Sequence, residues 1–210
     1  TARKDHGQAV PYSGGLALGL VLLPSLWFAG DELLPWPALA GLALCWLLGV
    51  ADDARPLPSL LKFFAQLVAA AALAQALSTE IAVIGRELLP AGTSPIIVYG
   101  LAIFCAVGVL NALNMIDGSD GLAGVQVLAG LGGLVLFSEG APSIGLSLAA
   151  LVASAVAAYL MFNLPSPLRP YRIFMGDGGA LLLAGLLVSI VVLFAGGGPE
   201  GSVESVAPWG

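Results

Sequence analysis

The segment GALLLAGLLVSIVVLFA, residues 179–195, contains no charged residue and is long enough to approach the thickness of the hydrocarbon core of a bilayer. Similar apolar runs recur along the chain, separated by breaks rich in proline and glycine. We predict membrane-spanning helices near residues 14–30, 37–51, 58–77, 95–113, 121–137, 143–162 and 179–195. The sequence therefore predicts an all-α integral membrane protein, a polytopic bundle of about seven transmembrane helices that forms a single domain over residues 1–210.

The composition supports the bilayer as the solvent for most of the chain. Hydrophobic residues make up 59% of the 210 residues and charged residues only 10%, and the mean hydropathy is +0.99. Soluble domains carry about 25% charged residues, so the composition argues against a water-soluble fold. The net charge of −6 argues against a nucleic-acid partner, which requires a basic face. The single histidine, His6, excludes a site built from clustered histidines.

The basic residues set the predicted orientation. With a cytoplasmic N-terminus, the predicted spans place most basic residues on the cytoplasmic side, as the positive-inside rule requires. These residues are Arg3, Lys4, Arg55, Lys62, Arg169 and Arg172. Arg86 lies on the other side, within residues 79–90, where the alternating Ile81 and Val83 predict a small extracytoplasmic β-hairpin. We expect a multi-pass protein of the inner (plasma) membrane with a cytoplasmic active face.

Two adjacent carboxylates, Asp52 and Asp53, end the second predicted span. Charge at the hydrocarbon boundary is costly and is usually retained for a function. The pair opposes the helix macrodipole, and its members repel each other unless a cation or a proton lies between them. A polar stop at the interface is the alternative, although Lys or Arg would supply it at lower cost. Lys62, one turn into the next span, either snorkels to the interface or serves the same site.

The segment NALNMIDGSDGL, residues 111–122, ends the fourth predicted span. Asn111, Asn114 and Asp117 recur every three residues, so they share one side of a helix end. The two glycines permit a tight chain reversal beside Asp120. A helix N-cap at Asp120 is the alternative, but it leaves the other three side chains unexplained.

The segment FMGDGG, residues 174–179, precedes the last predicted span. Asp177 is either a helix N-cap or a ligand, and the glycines allow backbone amides to approach a phosphate. Carboxylate and amide oxygens without histidine or thiolate suit a hard cation, most simply Mg²⁺. Mg²⁺ usually keeps several waters and binds substrate phosphates through one or two carboxylates. We therefore predict a site for Mg²⁺ and a diphosphate at the cytoplasmic interface.

These motifs, in this order, resemble those of the polyprenyl-phosphate N-acetylhexosamine-1-phosphate transferases, glycosyltransferase family 4. The double-Asp motif of the family resembles Asp52-Asp53, and its Asn-x-x-Asp-Gly-x-Asp-Gly signature resembles residues 114–121. Its Met-Gly-Asp motif resembles residues 175–177, and its first cytoplasmic loop resembles residues 3–15. The Asn-Met-Ile-Asp-Gly detail is closer to the branch that uses UDP-N-acetylglucosamine than to the branch that uses the muramyl-pentapeptide nucleotide.

The resemblance implies transfer of a sugar 1-phosphate, GlcNAc-1-phosphate in this branch, from a UDP-sugar to undecaprenyl phosphate or a related polyprenyl phosphate, with release of UMP. It implies that Asp52 and Asp53 act as catalytic residues on the lipid phosphate, and that Asp177 binds Mg²⁺ with Asn114 nearby. The substrate-binding residues that it implies are Lys62, Asp117, Asp120, Asn163 and Phe174, the last by stacking on uracil. Direct attack by the lipid phosphate and a covalent aspartyl intermediate both remain open.

The family also has a His-rich cytoplasmic loop, implicated in nucleotide-sugar binding, that this sequence does not contain. Family members have one span before the stretch that resembles residues 3–15, and further spans beyond the part that resembles this chain. We therefore expect the chain to be the central part of a longer enzyme, whose 210 residues alone are not assured of activity. An ion-coupled transporter and a non-catalytic membrane scaffold are the alternatives. Transporter sites lie near the bilayer midplane, whereas these acids lie at span ends. A homodimer is a further open expectation.

Overall fold

The computed structural model describes residues 13–137, 143–165 and 172–196, and all regular structure in these ranges is helical. The predicted all-α bundle is confirmed. Its helices are α1 (Ser13–Ala29), a 3₁₀ turn (Gly30–Glu32), α2 (Trp36–Ala54), α3 (Ser59–Ala76), α4 (Ser78–Leu88), α5 (Pro95–Ile116), α6 (Leu122–Phe137), α7 (Ser143–Asn163) and α8 (Gly176–Gly196).

Five helices in the described ranges are long and apolar enough to cross a membrane, judged by length and composition: α2, α3, α5, α7 and α8. Helices α1 and α6 are apolar but shorter. At about 1.5 Å of rise per residue, each is roughly 25 Å long, less than the roughly 30 Å of hydrocarbon in a typical bilayer. The chain is therefore a multi-pass membrane protein, whereas the number of crossings stays a prediction.

Helix α8 is the centre of the bundle, because it is mostly buried and packs against every other α-helix. Small residues allow this close approach. A Cβ added at Gly178 would lie 2.8 Å from Cγ2 of Val50, and one at Gly185 would lie 2.9 Å from Cδ2 of Leu42. Such contacts suit a membrane protein, in which helices associate through close packing rather than through a hydrophobic driving force.

The predicted β-hairpin at residues 79–90 is wrong, because this segment forms helix α4. Ile81, Ala82 and Gly85 are buried at helical spacing, which places one apolar face against the bundle. The helix starts almost directly after α3, and the carbonyl of Leu77 accepts the N–H of Ile81 at 3.1 Å. The alternation of two β-branched residues was too short to outweigh this one-sided pattern.

Seven of the described helices have an end at the same end of the bundle. Helices α2, α5 and α7 end there, α3, α6 and α8 begin there, and α1 begins beside the segment that leads into α8. The N–H groups of Gly14 and Gly15 donate to the carbonyls of Phe174 and Met175 at 2.9 and 2.8 Å. A Cβ added at Gly15 would lie 2.2 Å from the nitrogen of Gly179, so only glycine fits this approach.

Candidate active site

The two adjacent aspartates at the end of α2 have different partners. Asp53 accepts two backbone amides from the first turn of α8: the N–H of Asp177 donates to its Oδ1 at 2.9 Å, and the N–H of Gly178 donates to its Oδ2 at 3.1 Å. The carboxylate therefore caps α8 from a different helix, where it satisfies two unpaired donors and faces the positive end of the macrodipole.

Asp52 instead faces α3 and the side chain of Asp177. Its Oδ2 accepts a hydrogen bond from Nζ of Lys62 at 2.8 Å, and its Oδ1 accepts one from the N–H of Leu57 at 2.6 Å. The Asp52 carboxylate is only 9% exposed. It also lies within hydrogen-bond distance of the Asp177 carboxylate. Two carboxylates this close need a proton or a cation between them.

Asn114, in the last turn of α5, contacts Asp177 and so belongs to one cluster with Asp52, Lys62 and Asp177. Its side-chain amide hydrogen-bonds to the Asp177 carboxylate, which is half-buried. The Oδ1 atom of Asn114 is buried and accepts no hydrogen bond from the described part of the chain. Such an atom costs free energy unless a donor or a cation reaches it. The cluster thus combines opposed carboxylates with an unsatisfied amide oxygen.

Asp117 follows directly on α5 and lies outside the spanning segment. Its carboxylate accepts a hydrogen bond from the backbone N–H of Gly176, which places it beside the start of α8. Burial, together with the negative charges of Asp177 and Asp53, raises the pKa of Asp117 to about 7. This carboxyl therefore changes charge near neutral pH.

The other residues predicted to bind substrate lie around the segment that enters α8. Asn163 is 2% exposed, and its Nδ2 donates to the carbonyl of Ile173 at 2.8 Å, while its Oδ1 is buried and accepts no hydrogen bond within the described ranges. Phe174 is half-buried in the same segment. Asp120 forms an exposed ion pair with Arg172, which keeps it close to this segment but on the outer surface of the cluster.

A polar pair connects α3 to α5 beside the cluster. Nδ2 of Asn111 donates to Oε1 of Gln66 at 2.9 Å and to the carbonyl of Val107 at 2.8 Å. Gln66 is 4% exposed and lies one turn after Lys62, so the same face of α3 carries both polar side chains. An interhelical hydrogen bond of this kind helps to hold two membrane helices in register.

The oxygen atoms of this cluster are of the kind that a hard cation binds together with water and phosphate ligands. No group of three or more His, Cys, Asp or Glu side chains in the described residues is arranged to hold a metal by itself. Mg²⁺ does not require one, since it commonly uses one or two carboxylates, several waters and substrate phosphates. The carboxylate of Asp177 and the unsatisfied Oδ1 of Asn114 are oxygen donors of this kind.

The structure thus brings together the three motifs and Lys62, as the positions of the span ends predicted. It also reveals partners that the sequence did not. Tyr159, one turn before Asn163 on α7, hydrogen-bonds through its hydroxyl to the backbone of Met175. Tyr159 lies four residues before Asn163, so the sequence alone could have placed both polar groups on the same face of α7. The cap that Asp53 forms on α8 had no such signal.

Known proteins are similar to this chain in sequence over most of its length. The family described as glycosyl transferase family 4 matches residues 36–195. A probable undecaprenyl-phosphate N-acetylglucosaminyl 1-phosphate transferase of Bacillus subtilis is 31% identical over 197 residues, which cover 91% of this chain and 53% of that protein. An undecaprenyl-phosphate alpha-N-acetylglucosaminyl 1-phosphate transferase of Thermotoga maritima is 30% identical over 196 residues, 92% of this chain and 55% of that protein.

A second group of relatives matches a shorter stretch. A phospho-N-acetylmuramoyl-pentapeptide-transferase of Chlamydia muridarum is 41% identical over 99 residues, which cover 45% of this chain and 28% of that protein. The chain spans about half the length of the two N-acetylglucosaminyl transferases. With the motif order, the helical bundle and a family match over most of its length, the chain belongs to glycosyl transferase family 4.

Proposed function

We propose that the chain is part of an enzyme that transfers GlcNAc-1-phosphate from UDP-GlcNAc to undecaprenyl phosphate or a related polyprenyl phosphate. One observation carries the proposal: Asp52, Lys62, Asn114 and Asp177 meet at one end of the bundle, where the Asp52 and Asp177 carboxylates lie side by side, the Asn114 amide group donates to Asp177, and the Asn114 Oδ1 is buried and accepts no hydrogen bond within the described ranges. Two relatives that align with over nine-tenths of the chain are named, one of them as probable, as undecaprenyl-phosphate N-acetylglucosaminyl 1-phosphate transferases. Because these relatives are about twice as long as the chain, the proposed activity is that of the whole protein.

The proposed reaction exchanges one phosphoanhydride bond for another. An oxygen of the lipid phosphate attacks the phosphorus that carries the sugar, the bond from that phosphorus to UMP breaks, and UMP leaves with the bridging oxygen. Lys62 lies where an ammonium can attract a lipid phosphate, and its bond to Asp52 holds it in place. Phosphoryl transfer depends mainly on alignment and charge neutralisation, which these residues are suited to provide.

In the proposed site, Asp177 and Asn114 hold Mg²⁺. When bound, the ion neutralises phosphate charge and orients the diphosphate. Asp117 and Asp120, with Phe174 and Asn163, form the proposed surroundings of the nucleotide. The backbone amides that enter α8 are already engaged by Asp53, so the side chains rather than the helix N-terminus are the proposed contacts to substrate.

We propose that the site faces the cytoplasm and that all seven apolar helices cross the membrane. Of the four basic residues in the described ranges, Arg55, Lys62 and Arg172 lie at the site end of the bundle, and Arg86 lies at the other. Helix α6 starts beside the site, and α7 returns to it at Asn163, so α6 has to run to the far end despite its length. A short helix can be matched by local thinning of the bilayer.

The test is product formation by the full-length protein in membrane nanodiscs. Radiolabelled UDP-GlcNAc, undecaprenyl phosphate and Mg²⁺ should yield a labelled lipid, and the chelator EDTA should stop its formation. Asp177→Asn should lower the rate at least a hundredfold without reducing membrane insertion. Asp31→Asn, in the exposed 3₁₀ turn at the other end, is the matched control and should retain the wild-type rate. Normal turnover of Asp177→Asn would contradict the proposed metal site, and absence of lipid-linked product from the wild type would contradict the function.

Direct attack is the proposed route, because both oxygens of Asp52 already accept hydrogen bonds from the protein. A covalent aspartyl intermediate would release UMP before the lipid binds. Without lipid phosphate, labelled UMP should therefore not exchange into UDP-GlcNAc. Exchange at a rate comparable to turnover would replace direct attack with the covalent route.

A further inference from the structure

We propose that Asp53 is a positioning residue that fixes the start of α8, and that Asp52 alone of the two aspartates meets the substrates. The expected effect of Asp53 on the reaction rate rests on the proposed function, whereas its expected effect on the start of α8 rests on the fold alone. Adjacent carboxylates in one motif suggest a shared role, but their contacts separate them. Both oxygens of Asp53 are occupied by backbone N–H groups of α8. Asp52 contacts only side chains and the backbone near its own helix end.

The surroundings of Asp53 are shaped to admit its carboxylate. Gly176 adopts a φ of +72°, and a Cβ added there would lie 2.6 Å from Oδ2 of Asp53. Any side chain at this position would displace the carboxylate and would be strained in the left-handed region. Gly49, one turn earlier on α2, approaches the backbone of Asp177 so closely that an added Cβ would lie 2.3 Å from its carbonyl carbon. Two glycines thus bring the end of α2 onto the start of α8.

The cap acts directly on the residue that the proposed site needs. Asp53 accepts the N–H of Asp177 itself, so this bond fixes the backbone from which the Asp177 carboxylate projects. That carboxylate then meets Asp52 and Asn114. Loss of the cap should therefore allow the first turn of α8 to fray and should misplace Asp177, although Asp53 touches no reacting atom. A misplacement of about 1 Å can lower a rate about a hundredfold.

A conservative substitution distinguishes positioning from carboxylate chemistry. Asparagine is about as good a helix N-cap as aspartate, whereas alanine cannot cap. Asp53→Asn retains one acceptor oxygen and should keep at least ten times the kcat of Asp53→Ala, with a KM for UDP-GlcNAc near the wild-type value. At position 52 the comparison should differ, and Asp52→Asn and Asp52→Ala should be equally impaired. If Asp53→Asn is as inactive as Asp53→Ala, Asp53 acts through its charge and the proposal is overturned.

Hydrogen–deuterium exchange tests the structural part without relying on turnover. In nanodiscs containing the full-length protein, Asp53→Ala should speed exchange in peptides that cover the first turn of α8 roughly twofold to thirtyfold, the range expected for loss of a cap. Asp53→Asn should restore much of the protection. Asp52→Ala and the distant Asp31→Ala should leave this turn as protected as in the wild type. Unchanged protection in Asp53→Ala would overturn the proposal.

The two proposals fail in different ways. If the wild type makes no lipid-linked sugar but Asp53→Ala still exposes the start of α8, the proposed function fails and the cap stands. If the wild type is active and Asp53→Ala matches it in both rate and exchange, the cap fails and the function stands.

Discussion

The substitution Gly49→Ala should separate α2 from α8 at the point on which the site depends. The added Cβ would lie 2.3 Å from the carbonyl carbon and oxygen of Asp177 and 2.4 Å from the nitrogen of Gly178. These neighbours are backbone atoms, which cannot rotate away as a side chain can. Restoring an ordinary contact of 3.4 Å requires about 1 Å of separation between the two helices.

That separation is enough to break the cap on α8. The bonds from Asp53 to the amides of Asp177 and Gly178 are 2.9 and 3.1 Å long, so about 1 Å of displacement takes both beyond hydrogen-bonding range. Overpacking of this kind typically costs about 1–3 kcal/mol. We expect a lower melting temperature in detergent and at least a hundredfold loss of transfer to lipid phosphate, since a misplacement of about 1 Å has that effect on catalysis.

The matched control is Gly132→Ala in α6, where an added Cβ meets no atom within 4 Å. Alanine is the better helix former by about 1 kcal/mol, so this variant should be at least as stable as the wild type and fully active. Both variants are compared by thermal unfolding and by labelled product formation. Equal melting temperatures and equal rates for Gly49→Ala and Gly132→Ala would refute the proposed packing of α2 on α8.

Three further predictions concern single side chains. Lys62→Met should lower kcat at least tenfold, because Asp52 would lose the ammonium group with which it pairs. The rate is measured at saturating lipid phosphate, and a value within twofold of the wild type would contradict a role for Lys62 in the reaction. The raised pKa of Asp117, about 7 against an ordinary value near 3.9, means that the folded state binds more protons than the unfolded state between these values. Without added metal, thermal stability should therefore fall as pH rises from about 5 to about 7, and Asp117→Asn should flatten this dependence; an unchanged slope would show that another group is responsible. Gln66→Leu should remove the hydrogen bond from Asn111 and destabilise the protein by about 0.6 kcal/mol. Chemical denaturation measures this change, and an unchanged free energy of unfolding would contradict the prediction.

The helices could be predicted because long runs without charge leave few alternatives in a membrane. The predicted spans fall on α1, α2, α3, α5, α6, α7 and α8, with ends a few residues from those observed. Helix α4 was missed because its apolar residues cover only one face and its length is that of an interfacial segment rather than a span. Short amphipathic segments of this kind depend on the bundle that they pack against, and the local pattern does not report that bundle.

The sequence predicts that the three motifs lie close together, but it does not predict which side chain contacts which partner. The predicted spans place Asp53, Asp117 and Asp177 at the same membrane face, and the structure brings the three residues together. Which carboxylate meets which partner depends on how α2 crosses α8, and Gly49 and Gly178 set that crossing by backbone approach. No periodicity in the sequence reports a contact between glycines on separate helices, so the different surroundings of Asp52 and Asp53 emerge only from the packing.

The most direct test of the proposed site is whether a divalent ion held by Asp177 touches a substrate phosphate. Mn²⁺ can replace Mg²⁺ as a paramagnetic probe, since both prefer oxygen ligands. In the full-length protein with UDP-GlcNAc, magnetic resonance of bound Mn²⁺ should show hyperfine coupling to phosphorus, and Asp177→Asn should abolish both the binding and the coupling. Equal Mn²⁺ binding by Asp177→Asn, or bound Mn²⁺ without coupling to phosphorus, would contradict the proposed site.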